Sequence, residues 1–170
     1  MQAQTYAPRG AVITPARVIY QGHMAERAAP PTCLDHGRVF ALEEAIRREL
    51  EPVDMPVTHH FSRGVYAREL LIPAGTVATG KIHKFESLNV LLEGELLVLT
   101  DTGPKRVFPG HVEVSPPGTK RAVFAVTDCR WLTVHGTHST DVEQIETEFI
   151  AQTEQEYLRF CQEQLQLKGK

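Results

Sequence analysis

Residues 78–95 read ATGKIHKFESLNVLLEGE and carry a lone His83, then Glu86, then a strand-like run closing on Glu-Gly-Glu. Imidazole and carboxylate are the donors that hold first-row metals, but such a site needs three or four of them in a defined geometry. Lys81 is cationic beside His83, and the second polar cluster, SPPGTKRAVF at 115–124, contributes Arg121. Neither suits a cation site: Arg stays protonated, and Lys would have to shed a proton at large cost. Guanidinium and ammonium groups instead bind oxyanions. Two chemistries are therefore open. One is a charged pocket of Lys81, His83, Ser87, Asn89 and Arg121 that prefers a small anion, a carboxylate or a sugar. The other is a non-standard metal site, which requires His60, His83, Glu86 and His135 to converge.

The first chemistry needs strands, and the surrounding texture supplies them. From about residue 57 to 136, short runs of Val, Leu, Ile and Phe alternate with SRG, PAG, EGE, DTGP, FPG and SPPG. Turn signals at that spacing predict an antiparallel sandwich or barrel rather than βαβ units. Strands are expected near 64–73, 77–83, 86–93, 95–101, 105–108, 111–115, 119–127 and 130–136. Successive strand residues face opposite ways. If His83 points inward, so does Lys81; Ser87, Asn89 and Leu91 then share the inner face, as do Arg121, Val123 and Ala125, and by the same alternation Trp131, Thr133 and His135. His135 and His138 can also be read as capping or solvent-facing residues before the final helix. At most one of His59 and His60 can face inward. Leu88, Val90 and Leu92 fall on the outer face, so that strand is apolar on both sides and predicts a cover there, from a helix, a second sheet or another subunit.

Residues 1–35, with Pro8, Pro15, Pro30 and Pro31, read as an extended arm that lies on another surface or stays unordered. A short amphipathic helix and linker follow over 36–56, with Leu42, Ile46 and Leu50 on one face and Glu43–Arg47 and Glu44–Arg48 as i,i+4 pairs. The barrel is expected over 57–138 and a helical segment over 139–170. Thr140 and Glu143 predict a capping box, and Leu158, Cys161 and Leu165 an apolar side.

The motifs GKIHKFESLNVLLEGE and SPPGTKRAVF resemble those of the cupins, small jelly-roll barrels whose first motif places two His and a Glu before a strand ending in Gly, and whose second places a His after Pro-x-Gly. Carried over from Gly94, the family's Glu falls on Ser87 and its two His on His83 and Lys81; carried over from Pro116 and Gly118, its last His falls on Arg121. One position of four keeps its ligand type, so the resemblance implies the scaffold without the usual metal site, and no cofactor. It also implies a homo-oligomer formed through the sheets. More weakly, the chain is similar to small cupin-like proteins of bacteriophages and prophages, which implies an accessory or virion protein contacting other protein subunits.

Composition bounds the rest. With 18 Lys and Arg against 21 Asp and Glu the net charge is −3, so no basic field for nucleic acid exists. No apolar run has the length of a membrane span. Three scattered cysteines, Cys33, Cys129 and Cys161, lack the CxxC spacing of a zinc site and read as thiols of a reducing, intracellular compartment; the phage resemblance implies that this is the bacterial cytoplasm, or a virion assembled there. No nucleophile elbow, phosphate-cradling loop or dinucleotide fingerprint is present. The expectation is a mainly β, antiparallel cupin-like jelly-roll acting as a non-catalytic binding or structural module. The alternatives are a metal-dependent enzyme, an isomerase or dioxygenase of a small polar substrate, and a sensor of a small anion.

Overall fold

The computed structural model describes residues 5–8, 36–100 and 103–168. The chain runs β1 (Thr5–Pro8), α1 (His36–Glu49), β2 (Leu50–Pro52), β3 (Val57–Ser62), β4 (Val65–Ile72), β5 (Val77–Thr79), β6 (Ile82–His83), β7 (Ser87–Glu93), β8 (Leu96–Thr100), β9 (Gly103–Val107), β10 (Val112–Ser115), β11 (Ala122–Ala125), β12 (Cys129–His135), α2 (Val142–Phe149), β13 (Ile150–Ala151) and α3 (Glu154–Lys168). All pairings are antiparallel. One sheet has the order β2-β1-β5-β11-β8-β9, the facing one β10-β7-β12-β4-β3, and β13 pairs with β6 at the rim. The protein is mainly antiparallel β with helices toward both ends, as the turn spacing predicts.

Glycines turn the corners where the motifs place them. Gly94 has φ +84°, and a Cβ there would lie 2.1 Å from the Asp128 carbonyl oxygen; Gly118 has φ +83°, and a Cβ there would meet the Tyr157 hydroxyl at 2.6 Å. Both corners need a residue with no side chain.

Four expectations are corrected. β3 is an edge strand made of VTHHFS, a polar run whose pairing to β4 shows only in three dimensions. Residues 5–8 of the arm add β1 to the chain's own sheet, between β2 and β5, so this part of the arm lies on its own barrel; residues 9–35, with Cys33, lie outside the described residues. The N-cap of α2 is Asp141 rather than Thr140: its carboxylate accepts from the Glu143 and Gln144 amides. On α3 it is Tyr157, Phe160 and Cys161 that pack on Ile82 and Ala151, while Leu158 and Leu165 are exposed. In α1 the expected Glu43–Arg47 pair is present at 4.0 Å, while Arg47 also pairs with Glu44 and Arg48 with Glu49, each at 2.7 Å, and Glu43 reaches Lys120 at 2.6 Å. That buried Lys120 also donates to the Gly80 carbonyl oxygen, tying α1 to the loops on either side of the pocket rim.

Candidate functional site

The register divides the barrel interior into layers. At the deep end Ile72 stands opposite Cys129. The next row is Val57, Leu70, Trp131 and Leu91, apolar throughout. With Leu96, Val98, Val107 and Ala125 from the facing sheet, these residues make the main core. One step toward the mouth the chemistry reverses: His59, Arg68, Thr133, Asn89 and Glu113 occupy successive strands of the same row. At the mouth itself Tyr66 stands beside His135, and Ser87 beside Ser115. Between the polar rows, reaching down to Leu70, Ile72 and Trp131, is a cavity of about 130 Å³, room for on the order of ten waters or one compact small molecule.

A helix roofs this cavity. Val142, Ile145, Glu146 and Phe149 of α2 line it from above, and Ile145 and Phe149 cluster with Tyr66. The far end of α2 is strapped down: Ile150 pairs with His83, the Lys84 amide donates to the Phe149 carbonyl oxygen at 2.7 Å, and the Lys84 ammonium donates to the Thr147 carbonyl oxygen and pairs with Glu156.

Most polar groups of the wall satisfy each other. The Asn89 amide donates to Ser115 Oγ at 2.6 Å and accepts from Thr133 Oγ1 at 2.9 Å and from the Trp131 indole at 3.3 Å. Arg121 grips Glu113 with both Nη atoms, at 2.6 and 3.0 Å, and donates to Ser115 Oγ. Burial works against the Glu113 charge, yet Arg121 and His111 hold the carboxyl below its ordinary pKa. Lys81 is likewise engaged, donating to Gln152 and lying 3.6 Å from Glu146.

Three groups are not engaged. The Nε and Nη2 atoms of Arg68, Nδ1 of His83 and Nδ1 of His135 are buried without a hydrogen-bond partner. The His83 and His135 rings stack, with centroids 5.3 Å apart and planes 17° from parallel, and Phe149 sits 4.7 Å from His135. Desolvation pushes His83 down to about 3, with His135, Arg121 and Arg68 adding to the effect, and pushes His135 down to about 4. Both imidazoles are therefore neutral at pH 7, with one N–H and one lone-pair nitrogen each. Burial lowers the Arg68 pKa, with Tyr66 and Glu146 acting the other way; a guanidinium still keeps its charge at neutral pH.

Lys81, His83, Ser87, Asn89 and Arg121 thus all line one cavity, while the charges of Lys81 and Arg121 are already met by protein carboxylates. The alternative metal set does not assemble. His60 sits on the outer face of the edge strand, bonded to Glu69 beside Arg130, and Glu86 is exposed, leaving only His83 and His135 together. His59, not His60, is the inward member of that pair, bonded to the Tyr66 hydroxyl at 2.8 Å. Nor does the donor set fit the usual metal of the motifs it resembles: Lys81 and Arg121 hold two of the ligand positions, and among the described residues no three His, Cys, Asp or Glu side chains are grouped for an ion. His135 is buried in the stack rather than capping a helix or facing solvent. The residue that sequence reasoning missed is Arg68. In VYARELLI it holds an inward place with Tyr66, Leu70 and Ile72, and a charge within that alternation was the available signal.

No family model matches the chain, and no curated protein matches it. Among solved structures it is similar to a cupin superfamily protein from Desulfitobacterium hafniense, at 15% identity and a TM-score of 0.42 over 49% of this chain and 77% of that one. An RmlC-like cupin family protein with a double-stranded β-helix fold from Methanocaldococcus jannaschii gives 16% identity and a TM-score of 0.42 over 50% and 82%. A cupin domain from Bordetella pertussis gives 19% identity and a TM-score of 0.40 over 49% and 93%. Each of these neighbours is a cupin, and each aligns with about half of this chain.

Proposed function

We infer that the chain is a non-catalytic binding module: its barrel holds a small polar molecule under α2 and performs no metal chemistry. The observation that carries this reading is a roofed, largely apolar cavity whose wall contains polar side chains with unmet hydrogen-bonding capacity. A barrel that needed only to be filled would continue the Leu70–Trp131–Leu91 packing up to the rim, because each buried unpaired donor costs about 1–3 kcal/mol. The test is a fragment screen by two-dimensional NMR on the full chain, read at the Trp131 indole and Asn89 amide signals. Saturable shifts at these signals are expected from one class of small molecule. A screen that moves only surface signals overturns the reading.

Assembly is the second part of the proposal, and the outer face supports it. Val112, Val90 and Leu132 lie in one row across β10, β7 and β12, and Val114, Leu88 and Val134 in the next. Val112 and Val114 are more than half exposed, and Leu88 and Leu92 nearly two-fifths. An apolar surface continuous over three strands suits a second copy of the same sheet. A place in a phage particle would extend that assembly to other subunits and rests on the sequence resemblance. Among the described residues no helix is long and apolar enough to cross a membrane.

A further inference from the structure

The two Arg68 atoms without partners are not an arbitrary pair. Nε and Nη2 lie on one edge of the guanidinium, the edge that takes a carboxylate side-on through two parallel N–H···O bonds. Arg68 is fixed on β4 between Tyr66 and Leu70, one layer below the mouth. The groups around it are all accounted for. His59 on β3 bonds Tyr66; Thr133 on β12 bonds Asn89; Glu113 on β10 is held by Arg121 and His111. From above, Glu146 of α2 is engaged by Lys81 and Gln152.

We propose that Arg68 is the anchor of a carboxylate site: the guanidinium edge receives the carboxylate of a small organic acid, and the free Nδ1 atoms of His83 and His135 give further polar contacts. This rests on the binding-module reading above and names its ligand class. Lys81 and Arg121, the cations that sequence alone favoured, shape the rim and do not supply the anchoring charge. The site suits a carboxylate better than a phosphate. One unpartnered fork and two neutral imidazoles match a planar monoanion, while a phosphate at neutral pH brings more charge and a third strong acceptor oxygen. The apolar floor of Leu70, Trp131 and Val123 leaves room for a hydrocarbon or aromatic body behind the acid group.

The experiment titrates the isotope-labelled full chain with acetate, propionate and benzoate, with the matched amides acetamide, propionamide and benzamide, and with inorganic phosphate, at constant ionic strength. The Arg68 Nε–H signal is assigned by its loss in R68Q. At least one of the acids should shift the Arg68 and Trp131 side-chain signals saturably, its amide and phosphate should bind at least tenfold more weakly, and R68Q should lose at least tenfold in affinity. R68K, which keeps the charge without the fork, should fall between R68Q and wild type; K105Q, on the exposed strand β9, should bind within threefold of wild type. Acid and amide binding equally, or R68Q binding like wild type, overturns the carboxylate site and leaves the binding module standing. If no acid and no amide moves the cavity signals, both readings fail.

Discussion

Replacing Arg68 with Met should make the free protein more stable, and the size of the gain follows from the packing. Arg68 has two buried N–H groups without protein partners. Each such group costs about 1–3 kcal/mol when dry, and water in the cavity recovers part of that. Loss of the attraction to Glu146 works against the gain by up to about 1 kcal/mol. Met keeps most of the apolar stem and can lean on Leu70 and Trp131, so the net expected for R68M is a gain of about 1–3 kcal/mol. At roughly 2–4 °C per kcal/mol for a chain of this size, the melting temperature should rise by about 2–12 °C. Urea unfolding should show a higher midpoint at unchanged slope, which separates a stability change from a change of denatured state. A saturating carboxylate should narrow or reverse the order, since a ligand at a hundred times its Kd stabilises only the form that binds it, by about 2.7 kcal/mol. A variant less stable than wild type by 1 kcal/mol or more without ligand would refute the reasoning, because Arg68 would then be holding the barrel together.

Stability should also fall with acid earlier than carboxylates alone would cause. His83 and His135 titrate near 3 and 4 when folded, against 6.5 in the unfolded chain. The unfolded state therefore takes up protons first as pH drops below about 6.5, and stability is lost from there down to the folded values. The buried His135 alone accounts for about 2 kcal/mol by pH 5; H135Q should flatten the curve between pH 6.5 and 5, and a wild-type curve already flat over that interval would contradict the burial described. Changing Arg121 to His together with Ser87 to Glu restores two donors beside His83, enough for an open site, and calorimetry should show zinc or nickel binding in that double variant and no stoichiometric binding in wild type. Val112→Lys, on the outer sheet face, should shift the sedimenting species toward monomer with little change in melting temperature; an unchanged oligomer would place the contact elsewhere.

Much of this architecture is legible in the linear chain. Gly94 and Gly118 mark corners that only glycine can turn, and the apolar alternation through Leu91, Val123 and Trp131 orients the strands between them. What hides is what depends on partners distant in sequence. Thr58–Ser62 carries no strand signal because an edge strand has one neighbour and needs little apolar character. The charges of Lys81 and Arg121 look available until Glu146 and Glu113 are seen to meet them. Alternation allows His135 an inward place, but a cap fits it equally, because the ring stacked on it belongs to a residue more than fifty positions earlier in the chain. Arg68 is the converse case: in a run that reads as plain strand, only the register shows that its side chain points into a cavity with nothing to hold.

The reversal of polarity along the barrel axis divides labour in time as well as in space. Amide protons beside Leu91, Leu96 and Ala125, in the fully buried end, are shielded until the whole domain opens. The α2 roof is an eight-residue helix held by a two-residue strand pairing, by Lys84 and Lys81 and by Tyr66, all at the rim, so lifting it breaks contacts there and leaves those deep layers intact. Entry to the cavity is then a local fluctuation, far faster than unfolding. Residues at the rim are correspondingly free to drift under selection for a different guest, while the floor beneath them keeps the chain folded.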